Sequence, residues 1–138
     1  MIEIPPELLE IGRRLRTQDN RITADPIFLV RGLERVYGMD PEYGEDNYTW
    51  ASTDDCELCE PPEDEDNPPE GIEKVYYIEK WVTLKMAFTE EGCREHLRIN
   101  GHNYRRVYQK VDIYADSLWR MPEMIAIRNF LMSLPEPT

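Results

Sequence analysis

Three cysteines and one of the two histidines are spaced as zinc ligands are. Cys56 and Cys59 form a C-x₂-C pair, and Cys93 and His96 form a C-x₂-H pair. A C-x₂-C turn brings two thiolates together, and i, i+3 spacing places Cys93 and His96 on one face of a helix. The four residues therefore predict a zinc site. The alternative interpretation is free cysteines without a metal role, and no other cofactor is expected.

Two groups of polar side chains form a second candidate site, because both flank predicted strands, where binding residues are common. The ligand-binding candidates are Asp19, Asn20, Arg21 and Asp25 in the loop at 18–25, and Asn100, His102 and Asn103 in a turn at 100–104. If the two groups converge, they predict a small pocket for a nucleotide-like ligand. In the alternative interpretation, these Asp and Asn side chains only cap turns.

The negative charge of the chain is concentrated in one segment. Residues 36–73 contain 14 of the 28 acidic residues and no Lys or Arg, so the rest carries 14 acidic against 16 basic residues. Nine acidic residues and four prolines between 54 and 70 oppose regular structure, which predicts a long mobile loop at 52–72. Such a loop could bind a basic, nucleic-acid-binding surface of another protein, or only keep the chain solvated. The residues predicted for a partner contact are Tyr43, Tyr48, Trp50, Glu63, Asp64, Glu65 and Asp66.

Length and composition narrow the class of protein. The 138 residues predict a single domain over 1–138, and no apolar run approaches the roughly 18 to 20 residues of a membrane span. An odd number of cysteines and no signal-like N-terminus indicate the cytoplasm. Direct nucleic-acid binding needs a basic face and is disfavoured, because the chain combines a nearly neutral body with one strongly acidic segment. The motifs G-x-S-x-G, H-E-x-x-H and a phosphate-binding glycine loop do not occur, which favours a non-enzymatic role and leaves an enzyme open.

Hydrophobic periodicity predicts an α+β fold. Thr89 before Glu90 and Glu91 is typical of a helix start, and Gly101 is typical of a helix end. The predicted helices span 6–16, 90–100 and a segment capped by Ser117, and the predicted strands span 27–37, 47–50, 73–88 and 107–114. We expect an antiparallel sheet of about four strands, with two or three helices packed on one face and a long acidic loop.

Several stretches together resemble one family. They are residues 17–28 (TQDNRITADPIF), 35–40 (RVYGMD), 88–93 (FTEEGC), 99–103 (INGHN), 115–117 (ADS) and 127–132 (IRNFLM). They are similar to the small acidic early or accessory proteins of tailed bacteriophages and prophages, a family of unknown function. The resemblance implies a phage product in the cytoplasm of a host bacterium. It does not identify any catalytic residues, because the family has no established ones.

The resemblance and the acidic segment lead to one functional hypothesis. We expect a non-enzymatic phage or prophage protein that binds and modulates a bacterial protein, such as a defence, transcription or replication factor, through the acidic segment. The alternative is a small-ligand binder or enzyme that uses the 18–25 loop and the 100–104 turn. The sequence does not indicate an oligomeric state.

Overall fold

The computed structural model of the protein describes residues 2–44 and 47–138, which form an α+β fold. The elements in chain order are α1 (Pro6–Thr17), β1 (Pro26–Met39), α2 (Pro41–Gly44), β2 (Tyr48–Ser52), β3 (Leu58–Cys59), β4 (Ile72–Ala87), α3 (Glu90–Val107), β5 (Val111–Ser117) and α4 (Pro122–Met132). The predicted fold class is confirmed. The sheet has five strands where about four were expected, because two residues of the acidic segment form β3.

The five strands form one antiparallel sheet in the order β3-β2-β4-β1-β5. Its residues belong to two compact units, one made of residues 1–32 and 81–138 and the other of residues 33–80. The expectation of a single domain over 1–138 stays a prediction.

The first unit is built around the start of β1, where residues 26–30 are all buried. Successive side chains of a strand point to opposite faces of the sheet. Phe28 and Val30 pack with Cys93 of α3 on one face, whereas Ile27 and Leu29 belong to a cluster with Leu118. The second cluster is completed by Met124 and Ile125 of α4. The expectation of helices on one face therefore describes α3, while α4 covers the first residues of β1 on the other face.

Helices α1 and α4 pack against each other through a separate apolar cluster. Its buried members are Leu15, Leu131 and Leu134. Arg16 strengthens this contact, since its Nη1 donates to the carbonyl oxygens of Met132 at 3.1 Å and Leu134 at 2.7 Å. The Met132 carbonyl lies in the last turn of α4 and the Leu134 carbonyl lies just beyond it, where carbonyl groups lack partners within the helix. The arginine of one helix thus caps the end of the other.

The second unit pairs β2 with β4, and Trp50 lies opposite Lys74. The ammonium of Lys74 lies 4.5 Å from the ring centroid of Tyr48 and 5.7 Å from that of Trp50. Arg35 is held in a similar way, because its guanidinium lies 4.3 Å from the Tyr77 ring centroid and its Nε donates to Glu79 at 3.1 Å. Cation–π contacts therefore fix both basic residues on the sheet.

Helix α3 is longer than predicted. Its start is confirmed, because the Thr89 Oγ1 accepts the Gly92 N–H at 3.0 Å. Its end at Gly101 is wrong: the helix continues through Gly101 to Val107. Glycine is enriched at helix ends but does not impose one, and the residues after Gly101 continue the helix, with Tyr104 facing the apolar cluster of Phe28 and Val30. The predicted turn at 100–104 is consequently helical.

Two boundaries near the C-terminus also differ from the prediction. The last strand begins at Val111, since α3 occupies the residues up to Val107. Helix α4 begins at Pro122, and its N-cap residue Met121 makes no side-chain cap hydrogen bond. Ser117 is therefore not the cap, and its hydroxyl instead donates to the Ala24 carbonyl oxygen at 2.8 Å.

The helical position of Gly101 yields a test. An added Cβ at Gly101 would meet only the mobile end of Arg105, with Nη1 at 2.8 Å. Because alanine stabilises a helix interior by about 1 kcal/mol relative to glycine, we expect Gly101→Ala to raise the free energy of unfolding by up to about 1 kcal/mol. Urea denaturation measures this change. Gly12→Ala is the matched control, since its Cβ would collide with the Leu131 backbone carbonyl and should destabilise the protein. A loss of 1 kcal/mol or more in Gly101→Ala would contradict a helix interior.

Candidate functional site

Cys93 is a buried thiol on the face of α3 that packs on β1. It is 1% exposed, and its S–H donates to the Phe28 carbonyl oxygen at 3.4 Å. Burial disfavours the charged thiolate and raises the pKa of Cys93 to about 11. A thiol held neutral in this way serves packing. Metal binding would require the deprotonated form.

The other three predicted zinc ligands, Cys56, Cys59 and His96, lie in different environments. Cys56 is exposed, and Cys59 lies in β3 opposite Trp50. The His96 Nε2 lies 2.7 Å from the Tyr104 hydroxyl, on the same helix. Among residues 2–44 and 47–138, no three His, Cys, Asp or Glu side chains come together in a group that could hold a metal ion. The zinc site stays a prediction.

The 18–25 loop is tied to the elements around it through its polar groups. The guanidinium of Arg21 pairs with the carboxylate of Glu90 in the first turn of α3 and donates through Nη1 to the Ile113 carbonyl oxygen at 2.9 Å. The Arg21 N–H donates to Asp19 Oδ1 at 2.9 Å. The Asp25 carboxylate lies 3.6 Å from Nη1 of the buried Arg128. These contacts fit the interpretation in which the loop residues stabilise the fold.

The two halves of the predicted ligand pocket lie at different places along α3. The loop contacts Glu90 in the first turn, whereas Asn100, His102 and Asn103 lie ten to thirteen residues further along the helix. At 1.5 Å per residue, the separation along the axis is about 15 to 20 Å. Asn20 is half-buried, and His102 and Asn103 are exposed. The two groups therefore do not line one small pocket, and the alternative small-ligand hypothesis loses its proposed site.

The most acidic part of the chain, residues 54–70 (hereafter the acidic segment), is exposed and has a defined backbone. The Thr53 N–H donates to the Gly71 carbonyl oxygen at 2.8 Å and closes its base, while β3 pairs with β2 within it. Residues 53–70 are exposed except for Cys59 and Pro62. The segment predicted as a mobile loop thus contains a short strand. Backbone hydrogen bonds can form there because the charged side chains point to solvent and stay hydrated.

Of the nine carboxylates between 54 and 70, Asp55, Asp64 and Glu65 accept hydrogen bonds within the described structure, and their donors are neutral. The side chain of Asp64 accepts from the Asp66 N–H at 3.1 Å and from Asn67 Nδ2 at 3.3 Å, and Glu65 accepts from the Tyr48 hydroxyl at 3.5 Å. In the described part of the chain, every ion pair uses a carboxylate outside residues 54–70. Glu63, Asp64, Glu65 and Asp66 therefore present charge that the described residues do not neutralise.

The aromatic residues predicted for the partner contact differ in how exposed they are. Tyr48 is half-buried and packs edge-on against Trp50, with ring centroids 6.3 Å apart. Trp50 is 3% exposed, so the expectation that its side chain is exposed is wrong. The residue alternates into the interior of the second unit, where it lies opposite Lys74 and Cys59. The contact predicted for the Tyr43 side chain lies outside the described part of the structure.

Arg31 of the first unit makes a set of contacts, hereafter the arginine clamp, that was not predicted from the sequence. The Arg31 guanidinium lies 4.4 Å from the Trp81 ring centroid and 4.1 Å from that of Tyr114. It also binds Asp112 with two hydrogen bonds, Nε to Oδ1 at 3.0 Å and Nη2 to Oδ2 at 2.7 Å. Donation of these hydrogen bonds to the Asp112 carboxylate raises the pKa of Arg31. Alternation in β5 indicated that Asp112 and Tyr114 share a face, but the pairing with β1 needed the tertiary structure.

Comparison of the chain with protein-family models, with curated proteins and with solved structures found no match. The resemblance to phage and prophage proteins therefore stays a prediction. Within the described residues, no helix is long and apolar enough to cross a membrane.

The burial of Cys93 yields a test of the thiols. We expect a thiol reagent such as DTNB at pH 8 to modify Cys56 and Cys59 in the native protein and Cys93 only after unfolding, because the Cys93 thiolate is disfavoured and the sulfur is enclosed. Mass spectrometry of the modified protein identifies the sites. Zinc analysis of protein prepared without added metal tests the competing hypothesis. Native reaction of Cys93 at the rate of Cys56 would contradict the burial.

The arginine clamp yields a second test. Arg31→Lys keeps the charge but loses the planar group that stacks on two rings and binds Asp112 with two donors. We expect the free energy of unfolding to fall by about 1 to 2 kcal/mol. Thermal and urea denaturation measure the loss. Arg106→Lys, at an exposed position in α3, serves as the control and should leave stability unchanged. Equal stability of the two variants would show that the clamp contributes nothing.

Proposed function

We propose that this chain is a phage- or prophage-encoded protein that acts without catalysis by binding and modulating a bacterial protein. The observation that supports the proposal is the exposed acidic segment, whose nine carboxylates form no ion pair within the described residues. Like charges held close together in this way are costly for the isolated chain. A basic partner surface would neutralise them and gain affinity. The phage context comes from the sequence resemblance.

The chemistry of the partner follows from the segment. Nine carboxylates within 17 residues match a surface rich in Lys and Arg, of the kind that contacts nucleic-acid phosphates. Occupying that surface would compete with nucleic acid and so modulate a defence, transcription or replication factor. Tyr48 would assist, because its hydroxyl already contacts Glu65 of the segment. The ammonium of Lys74 is retained over the Tyr48 ring and does not pair with the segment in the described structure.

Charge removal tests this contact. We expect the variant E63Q/E65Q/D66N to capture at least about tenfold less of the principal partner from a bacterial lysate than the wild-type chain does, since complementary charge speeds association. Mass spectrometry identifies the partner, and surface plasmon resonance on the purified partner gives the association rate. The rate should fall as salt is raised, because exposed charges are screened beyond about 10 Å at 0.1 M ionic strength.

The matched control is E3Q/E7Q/E136Q, which removes three exposed carboxylates outside the segment. This variant should capture the partner as the wild-type chain does. Equal capture by the segment variant and by the wild-type chain would refute the proposed contact. Equal losses in both variants would show that total charge, and not the segment, governs the interaction.

A further inference from the structure

An open apolar groove lies on the first unit, on the sheet face away from α3. Ile27 and Leu29 of β1 form part of a cavity of about 380 Å³, which Met86, Met121 and Met124 also line. Ile27 and Leu29 are buried by neighbours, but Met86 is 61% exposed and Met121 is 52% exposed. The apolar cluster beneath α4 thus opens to solvent through methionine side chains.

Methionine gives this groove an adaptable lining. Its unbranched thioether side chain adjusts to apolar surfaces of different shape, and methionines are common at surfaces that bind varied apolar segments. A cavity of this size, lined mainly by apolar groups with a few polar ones, has the usual features of a binding site. Thr83 and Ser117 supply hydroxyl groups to its lining.

One charged residue lines the cavity, and it is acidic. Asp116 is exposed, and its Oδ1 accepts the Ser117 N–H at 2.9 Å. No ion pair to Asp116 occurs among residues 2–44 and 47–138. A carboxylate beside an apolar cavity favours a ligand that carries a cation next to its apolar group.

The groove extends beyond the first cavity along the start of α4. A second cavity of about 350 Å³ shares Met121 and Met124 with the first and is also lined by Arg120 and Glu123. The Arg120 guanidinium lies over its neighbour Trp119, 4.1 Å from the ring centroid. Two adjoining cavities with shared walls suit an extended ligand with more than one apolar side chain better than a compact molecule.

We propose that this groove, hereafter the methionine groove, binds a segment of another protein in which Leu- or Phe-like side chains lie next to Lys or Arg. The apolar side chains would cover Met86, Met121 and Met124, and the cation would pair with Asp116. A second copy of this chain is a poor occupant, because two chains of net charge −12 repel each other. The proposal rests on residues of the first unit alone, so it is independent of the contact proposed for the acidic segment.

Methyl NMR of the full chain labelled with ¹³C at the methionine methyl groups tests the proposal. The probe is a short synthetic amphipathic helix of leucine and lysine, and the comparison probes replace either leucine by serine or lysine by glutamine. We expect saturable shifts at Met86, Met121 and Met124 with the leucine–lysine peptide, and no shift at Met39 or Met132, which lie outside the groove. The methyl signals locate binding even if the cationic peptide also meets the acidic segment.

Variants of the groove separate its two features. M86S/M121S should weaken binding of the leucine–lysine peptide at least about tenfold by removing apolar surface. Ile127→Ser changes an exposed apolar residue of α4 outside both cavities and should leave binding unchanged. Asp116→Asn should weaken the leucine–lysine peptide severalfold and leave the leucine–glutamine peptide unaffected. Circular dichroism and the Met39 and Met132 signals establish that each variant is folded.

Four results would overturn the proposal. Shifts of Met39 without shifts of the groove methionines would place the binding elsewhere. Equal binding of the leucine–glutamine peptide would remove the role of the cation. Equal binding by M86S/M121S and the wild-type chain would remove the groove. A folded chain that fails to bind any of the peptides at the groove would refute it as well.

Discussion

Burial of the first residues of β1 is the constraint on which the first unit depends. A strand buried on both faces needs other elements packed on each face, and its side chains point alternately to one face and the other. Phe28 and Val30 are covered by α3, with Cys93 at the contact. Ile27 and Leu29 are covered by Leu118 and by α4. Helix α1 then packs on α4, so the placement of both terminal helices follows from the two-sided burial of one short run.

The polar loop before β1 makes this arrangement specific. Arg21 connects the start of α3 to the backbone of β5, and Asp25 lies beside the buried Arg128 of α4. Arg128 is buried, and the nearby carboxylate of Asp25 offsets part of the cost of burying its charge, which favours this arrangement of the strand and helices. Arg21 and Asp25, two of the candidate ligand-binding residues, thus make contacts within the fold.

Charge is distributed unequally between the parts of the chain. In the first unit, arginines pair with carboxylates of the same unit, as Arg14 does with Glu91 and Glu95. The segment at 54–70 has no basic residue of its own. The cost of like charges remains there, exposed to solvent, and a partner could relieve it. The methionine groove is a different kind of surface, because its exposed area is apolar. In the two interactions proposed above, these surfaces would recognise different features of a partner protein.

Local patterns determined much of this protein. The start of α3 at Thr89, the amphipathic α1 and the aromatic-rich β4 could be predicted because each depends on capping or periodicity within a few residues. The acidic segment and its exposure followed from composition. The end of α3 could not be found in this way, because Tyr104 packs against residues of β1 far away in the sequence.

The tertiary structure alone decided which residues share a site. It separated Asp19–Arg21 from Asn100–Asn103 along α3, and it buried Trp50, whose residue type also suited an exposed contact. It brought Arg31 to Trp81, Tyr114 and Asp112, and Met86 to Met121, through strand pairing and helix packing over 35 to 83 residues of sequence. Sequence determines local conformation through short-range sterics and hydrogen bonds. A site that joins distant segments depends on how the core closes, and that is settled only when the whole chain packs.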